Sequence, residues 1–496
     1  MKKTNVHLEQ ILTQTLTFSG FVLALIQLLM NRSLWLDEAY LALSIVHKSP
    51  VELLQPLYYC QVAPILFLQM EKLCSSIFAN SEFGLRLFPF VNYCLSLILF
   101  HKIVHLLFKN IYARLFALSL FVFCGPLIYY ASEVKQYMSD VLVFLAFYYF
   151  TLKNYEDEKN RYRTLTAVGF ISIFLSNIAP IALFTEGSYF LFIYIRNKKQ
   201  IPKQLIITFF IWIITYFAYY FLFVYHHPAQ SMMVNYWSSN NGFMPINPFE
   251  KKLYSSLFER TRTFFTLFFG LSGRIVLPIL FLIGGIFLIK SKQISLVILL
   301  LLPITLHWFL SALRLYPFDA RLILYACPLL ILVTTFGFDC LITTLFSNYS
   351  LKRPLVFAAV VPLLMAYSFY DLKFYTKGEE LKKCLSYLEQ NKGMNASIYV
   401  SYHASPPFLY YQNVFFPTLN SPLIIGQFAE TDAVFDTDLK KLKGKTWFLF
   451  SDWLPMDKRH AAYLLNYYKS KDVVLKKGFK AVGYTVYLLD IPENDR

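Results

Sequence analysis

Residues 31–40 read NRSLWLDEAY, directly after an apolar run that ends at Met30. Asp37 and Glu38 stand side by side between Trp35 and Tyr40, close to where a membrane span should end. Adjacent carboxylates in that position cost desolvation and mutual repulsion, so they mark a candidate functional site. A local reading competes with this one: Ser33 caps a surface helix, and the two acids in its first turns favour the positive end of its dipole.

Outward from this stretch the composition decides the class. The chain has 496 residues, 57% hydrophobic, 19% aromatic and only 15% charged, with long apolar runs separated by short basic clusters. That describes a polytopic α-helical membrane protein. The net charge of +16 is spread over the ends of apolar runs, where it sets topology and meets anionic lipid rather than nucleic acid. The seven cysteines form no CxxC pair. Cys94, Cys124, Cys327 and Cys340 fall in apolar runs as small core residues, while Cys60 and Cys74 share one loop and are the candidates for a disulfide.

The N-terminal MKKTNVHLEQ has the charge pattern of a secretory signal, but no small-x-small site follows it, so the first run is expected to be an uncleaved span with its basic end in the cytoplasm. Further spans are expected near 88–108, 112–131, 138–152, 165–180, 181–196, 204–225, 274–290, 294–312, 321–345 and 354–372, about eleven in all. Alternation then puts the basic short connections, 153–163, 196–203, 290–292 and 351–354, on the cytoplasmic side. The outer side receives loops 31–87, 132–137, 226–273 and 313–320 and the C-terminal tail. Residues 1–372 thus read as the membrane domain, and 373–496 as a soluble extracytoplasmic α/β domain. In that tail Leu381, Cys384, Leu385 and Leu388 share a helical face, ASIYVSY, KTWFLFSD and AVGYTVYLLD read as strands, and KRHAAYLLNYYKS as a second helix. Asn348 and Asn395 begin N-x-S triplets.

Three outer segments carry more polar chemistry than spans demand. Loop 31–87 supplies Asp37, Glu38 and, at the mouth of the second span, Arg86; ASEVKQYMSD supplies Glu133, Lys135, Tyr137 and Asp140; LRLYPFDARLILY supplies Tyr316, Asp319 and Arg321. Acids and bases meeting at one membrane surface suit a phosphate-bearing lipid substrate. Breaking a sugar–phosphate bond puts negative charge on the leaving phosphate, which waiting cations stabilise, arginine through its planar fork and lysine as a point charge. The incoming hydroxyl or amine needs a carboxylate to take its proton, a contribution of about 10²–10⁴ in rate. Each residue also has a plainer use: Arg86 and Arg321 snorkelling to headgroups, Lys135 pairing with Glu133 or Asp140, and Tyr236, Trp237 and Phe243 forming an interfacial belt. His226, His227, His101, His105 and the intramembrane His307 assemble no ligand set by spacing.

LWLDEAY after the first span, a Pro-containing segment followed by GLRL, the EVKQYMSD turn and the YPFDARL turn together resemble the GT-C glycosyltransferases. The nearest group is family 39, with its protein O-mannosyltransferases and aminoarabinose transferases. The resemblance covers roughly residues 10–372 and lies in the order and shared sidedness of the motifs. It implies a GT-C-like fold and an inverting transfer from a polyprenyl-phosphate-linked sugar donor to a glycan, lipid or protein acceptor. It makes Asp37 the general base, with Glu38 beside it binding acceptor or a neighbouring cation. It gives the donor phosphate to Arg86, Lys135 and Arg321, Lys135 standing where such proteins often have Arg. Tyr137, Asp140 and Tyr316 would orient substrate. Some GT-C enzymes use a divalent cation, and no ligand set in this sequence compels one. The competing classes are a transporter or lipid flippase, which usually shows internal repeats and ionisable groups near the midplane, and a scaffold whose outer domain binds partners.

Overall fold

The computed structural model describes residues 2–225, 227–245, 251–270, 275–345, 378–391, 396–414, 416, 422–428, 431–469 and 475–491. The expected span at 354–372, the proposed domain boundary, His226 and both N-x-S triplets' asparagines lie outside the described residues.

The membrane unit runs α1 (Lys2–Leu29), α2 (Leu36–His47), α3 (Ile65–Ile77), α4 (Glu82–Leu107), α5 (Ile111–Val122), α6 (Gly125–Tyr130), α7 (Tyr137–Leu152), α8 (Glu158–Leu175), α9 (Ala179–Arg196), α10 (Lys203–Tyr219), α11 (Gln230–Ser239), α12 (Lys251–Phe269), α13 (Val276–Lys290), α14 (Ile294–Ala312) and α15 (Ala326–Leu345). Among the described residues, five helices are long and apolar enough to cross a membrane: His7–Leu29, Glu82–Leu107, Lys203–Val224, Ile294–Ala312 and Ala326–Thr344. Ile111–Val122, Tyr137–Leu152 and Val276–Lys290 are shorter and equally apolar.

Proline and glycine divide the runs. The expected 112–131 span breaks after Val122, and Gly125-Pro126 starts a new short helix because proline donates no N–H to a preceding turn. The 165–196 run divides at Ser176–Ile178, with Pro180 in the first turn of α9. Loop 31–87, read from sequence as an outer loop, contains the helices α2 and α3. Ser33 does not cap α2; that position is Trp35, and the Ser33 hydroxyl instead accepts the Lys382 N–H at 3.4 Å. Cys60 and Cys74 are free thiols, as are the other five cysteines, so the candidate disulfide is not formed. α13 and α15 approach closely enough that a methyl group on Gly284 would strike the Val333 carbonyl, and one on Gly337 the Leu280 carbonyl. Such mutual small-residue contact is how helices pack where lipid supplies no hydrophobic drive.

The C-terminal unit is a mixed five-stranded sheet of β1 (Ser397–Val400), β2 (Leu423–Ile425), β3 (Gly444–Ser451), β4 (Leu475–Ala481) and β5 (Tyr484–Ile491), in the order β2-β1-β3-β5-β4. β1 runs parallel to β2 and β3, whereas β5 is antiparallel to β3 and β4. Residue alternation separates two cores. Ile398, Val400, Trp447, Leu449, Val486 and Leu488 face α16 (Leu381–Asn391) and α17 (Ser405–Val414). Tyr399, Phe448, Phe450, Leu489 and Ile491 face α18 (Asp432–Leu439) and α19 (Pro455–Lys469). Leu381, Cys384, Leu385 and Leu388 are all buried along α16.

α17 lies on α2 and ties the sheet to the bundle. The Tyr411 hydroxyl accepts the Leu34 N–H at 2.7 Å and donates to Glu82 at 2.9 Å, and Tyr410 donates to the Asn80 carbonyl at 2.7 Å. Lys382 reaches both Glu82 and the Asn31 carbonyl at 2.7 Å. The sheet therefore covers the bundle end where residues 31–40, the start of α4, the α6–α7 turn and the α14–α15 connection converge. The basic α9–α10 and α13–α14 connections meet where Arg196 donates to the Lys292 carbonyl at 3.3 Å.

Candidate active site

The two adjacent acids have opposite fates. Consecutive helical residues project about 100° apart, so Asp37 and Glu38 face different surroundings from the first turn of α2. Glu38 is fully buried and meets Arg86 through two bonds, Nε to Oε1 at 3.1 Å and Nη2 to Oε2 at 2.8 Å. It also accepts the Val134 N–H at 3.1 Å and the Trp35 N–H at 3.4 Å. Arg86 spends its remaining contacts on the carbonyls of Arg32 at 2.6 Å and Ser33 at 3.4 Å. The pair thus bolts loop 31–35, α4 and the α6–α7 turn together. The phosphate contact expected of Arg86 and the substrate contact expected of Glu38 meet a physical obstacle: both groups are buried and their polar atoms are occupied by protein.

Asp37 keeps 27% of its side chain exposed and receives the Arg321 Nη1 at 2.6 Å. Burial pushes its carboxyl up, but the Lys135 and Arg321 cations outweigh that and hold it below the usual carboxylate value. Arg321 turns its Nε toward Asp319 at 3.6 Å and lies over the Trp237 ring at 5.3 Å. Lys135 pairs with neither Glu133 nor Asp140; its ammonium donates to Gln61 Oε1 at 2.8 Å. Burial depresses its pKa, partly offset by Asp37. Asp37, Lys135 and Arg321 therefore form one cluster, drawn from residues almost 300 positions apart.

Tyr137 is buried at the start of α7, within electrostatic reach of Arg321 and Asp37, its ring 5.1 Å from that of Tyr130. Asp140 and Tyr316 belong to a deeper seam. Asp140 is buried and accepts the Ser176 hydroxyl at 2.6 Å, and the Tyr316 ring lies 5.2 Å from His307. His307 is fixed by the Tyr325 hydroxyl at 3.1 Å and the Pro317 carbonyl at 2.8 Å.

Three residues outside the expected set complete the surroundings. Arg32 donates to the Ser132 carbonyl at 3.1 Å, covers the Tyr129 ring at 4.0 Å and stands 3.9 Å from Glu38 and 4.0 Å from Glu133. Glu133 accepts the Trp35 indole at 3.2 Å; burial and then the Glu38 charge raise its pKa. Glu379, just before α16, accepts the Tyr484 hydroxyl; burial raises its pKa to about 7, with Glu38 and Asp37 adding to the effect. Arg32 and Glu133 were within reach of sequence reasoning as charges in the outer segments, but Glu379 carries no local signal. Among the described residues, no group of three or more His, Cys, Asp and Glu side chains is arranged to hold a metal ion.

No protein-family model matches the chain, and no curated protein matches it in sequence. Among solved structures it is similar to ArnT from Cupriavidus metallidurans over nearly the full length of both chains. The crystal structure of that protein bound to undecaprenyl phosphate gives a TM-score of 0.56 at 12% identity, covering 96% of this chain and 97% of the other. Its apo-state structure gives 0.52 at 11% identity, covering 98% of each chain. The likeness establishes the architecture, a polytopic α-helical membrane protein of GT-C-like fold with a C-terminal mixed-sheet domain.

Proposed function

We propose that this protein is an inverting glycosyltransferase that moves a sugar from a polyprenyl-phosphate-linked donor to an acceptor on the extracytoplasmic side of the membrane. The observation that carries the reading is the Asp37–Arg321 contact with Lys135 beside it, a partly open carboxylate between two cations at one end of the helical bundle. The sequence resemblance to GT-C enzymes supports it, as does the fold shared with ArnT, whose crystal structure holds undecaprenyl phosphate.

In this mechanism the acceptor hydroxyl or amine attacks the anomeric carbon from the face opposite the phosphate. The carbon–oxygen bond to phosphate breaks, its electron pair stays on the phosphate, and the acceptor's proton passes to Asp37. The Lys135 and Arg321 cations that hold this carboxyl below its ordinary pKa keep it ionised at neutral pH while weakening it as a base. Lys135 has ammonium protons beyond the one given to Gln61, and Arg321 has a guanidinium nitrogen beyond those turned to Asp37 and Asp319. Those donors receive the leaving phosphate. Tyr137 orients the substrate beside them. Arg86 and Glu38 leave the substrate-binding roles and become the strut that fixes Asp37's helix, while Asp140 and Tyr316 support the site from beneath.

The C-terminal sheet domain covers the site from the extracytoplasmic side, and the N-terminus is cytoplasmic. A flippase would keep ionisable groups free around the midplane; Asp140, Glu186 and His307 lie within helices but are engaged by Ser176, Thr151 and the Pro317–Tyr325 pair. The direct trial is Asp37→Asn in membranes supplied with a polyprenyl-phosphate sugar. Turnover is expected to fall by about 10²–10⁴. A folded variant with undiminished turnover would remove Asp37 from the mechanism.

A further inference from the structure

β1 and β3 are parallel neighbours, so their carboxyl ends stand side by side at one edge of the sheet. β1 feeds α17 on one face of the sheet, whereas β3 feeds α19 on the other, so the connections diverge between neighbouring parallel strands. Ligands of open α/β sheets bind in the crevice at such a divergence. Buried Asp457, in the first turn of α19, accepts the Ser401 hydroxyl at 2.5 Å and holds His403 Nδ1 at 3.1 Å. That contact puts a proton on Nδ1, so Nε2, with no protein partner among the described residues, is an acceptor whenever the imidazole is neutral. The His403 and Tyr402 rings stand 6.2 and 5.4 Å from that of Phe428, which is 54% exposed although a phenylalanine gains nothing from water. On the bundle side Tyr40 packs against Tyr59 at 4.6 Å. Tyr40 lies within electrostatic reach of Tyr402, Asp37 and Asp457 together, which places the crevice beside the catalytic carboxylate.

We propose that this crevice is the acceptor subsite and takes a sugar ring, with the Phe428 and Tyr402 faces stacking on the ring's C–H surface and His403 Nε2 accepting from a ring hydroxyl. The acceptor role rests on the glycosyl-transfer reading above. A sugar fits because it offers an apolar C–H ring face and several edge hydroxyls at once, matching an aromatic shelf beside a hydrogen-bonding imidazole. Tyr40, three residues beyond Asp37 on α2, lies within electrostatic reach of both the base and this subsite.

The test uses the full-length protein in nanodiscs on an array of bacterial-surface oligosaccharides, with undecaprenyl phosphate binding measured separately. Phe428→Ala is expected to weaken glycan binding about three- to tenfold, and His403→Ala about tenfold. His403→Gln, which keeps an acceptor oxygen, restores part of the loss. Both alanine variants keep wild-type affinity for undecaprenyl phosphate, and in turnover they raise the acceptor KM more than they lower kcat. Glycan binding by Phe428→Ala and His403→Ala equal to wild type overturns the subsite, as does a wild-type protein that binds no arrayed sugar. Arg321→Ala separates the two readings: if it keeps undecaprenyl phosphate affinity while Phe428→Ala loses glycan, the donor assignment fails and the sugar subsite stands.

Discussion

Replacing Arg86 by methionine distinguishes a strut from a phosphate ligand. The substitution removes four donated bonds, two to Glu38 at 2.8 and 3.1 Å and two to the carbonyls of Arg32 and Ser33. Glu38, fully buried, keeps the N–H groups of Val134 and Trp35 and an Arg32 cation 3.9 Å away. A buried pair broken on one side typically costs about 3–5 kcal/mol, because the surviving charge is left without compensation. Arg32 lies close enough to offset part of this, so the lower end, about 3 kcal/mol, is expected. Arg86→Met/Glu38→Met removes the stranded charge as well and should recover most of the loss, since apolar replacements of such pairs are often neutral. The assay is thermal unfolding of the purified protein in detergent, read by size-exclusion chromatography, beside undecaprenyl phosphate binding. Arg86→Met with unchanged unfolding temperature and lost phosphate binding would refute the strut and return Arg86 to the substrate.

Three further outcomes follow from the geometry. Lys135→Arg keeps the cation and should retain turnover, whereas Lys135→Ala loses a charge-assisted bond and should raise the donor KM about 10- to 100-fold in steady-state assays. Gly284→Ala drives a methyl into the Val333 carbonyl and should cost about 1–3 kcal/mol by thermal unfolding, while Gly285→Ala, with open space at that point, should be tolerated. Glu379 holds its proton up to about 7 in the folded protein against an ordinary 4.5; between those values the folded state binds more protons than the unfolded one, so stability falls as pH rises. The loss from this group, about 3 kcal/mol in full, should vanish in Glu379→Gln when unfolding is followed from pH 4.5 to 7.5.

Much of the architecture was legible because its signals are local. Apolar length gave the helices and the division near residue 180, but the break before Gly125-Pro126 was missed because the apolar run continues through it. Alternation revealed β1, β3 and β5, which are buried on both faces. β4 escaped notice because LKKGFKA is a largely exposed edge strand carrying lysines, the composition that keeps an edge from pairing further. α3 escaped because its loop was defined by the spans around it, whereas α2 was legible as the helix with Asp37 and Glu38 in its first turn, its cap misplaced at Ser33. At the site, the sequence placed acids and bases in the same segments but not their pairing. Arg86 and Arg321 look alike as arginines near span ends, yet one is sealed against Glu38 and the other holds the half-open Asp37. Such choices are made by contacts across 48 and 284 residues, beyond any local pattern.

The paired acids make sense as two layers of one charge lattice. Glu38 and Glu133 lie in the buried layer with Arg32 and Arg86; Asp37 lies in the outer layer with Lys135 and Arg321, Asp319 standing at its rim. Buried charge must be nearly balanced to be tolerated, and the inner layer, two arginines against two carboxyls, meets that condition by itself. The outer layer does not: apart from the more exposed Asp319, two cations face one carboxylate. An anion is what that excess calls for, and a phosphodiester brings a single negative charge. On the proposed glycosyl-transfer reading, transfer converts the diester to a monoester able to carry a second charge, so product formation asks for more positive potential than substrate binding did. Burial and the Glu38 charge both raise the Glu133 pKa, so the balance of the inner layer depends on that carboxyl being ionised. The Arg86–Glu38 strut thus fixes the helix that carries Asp37, and with it the cluster to which the proposed mechanism assigns catalysis.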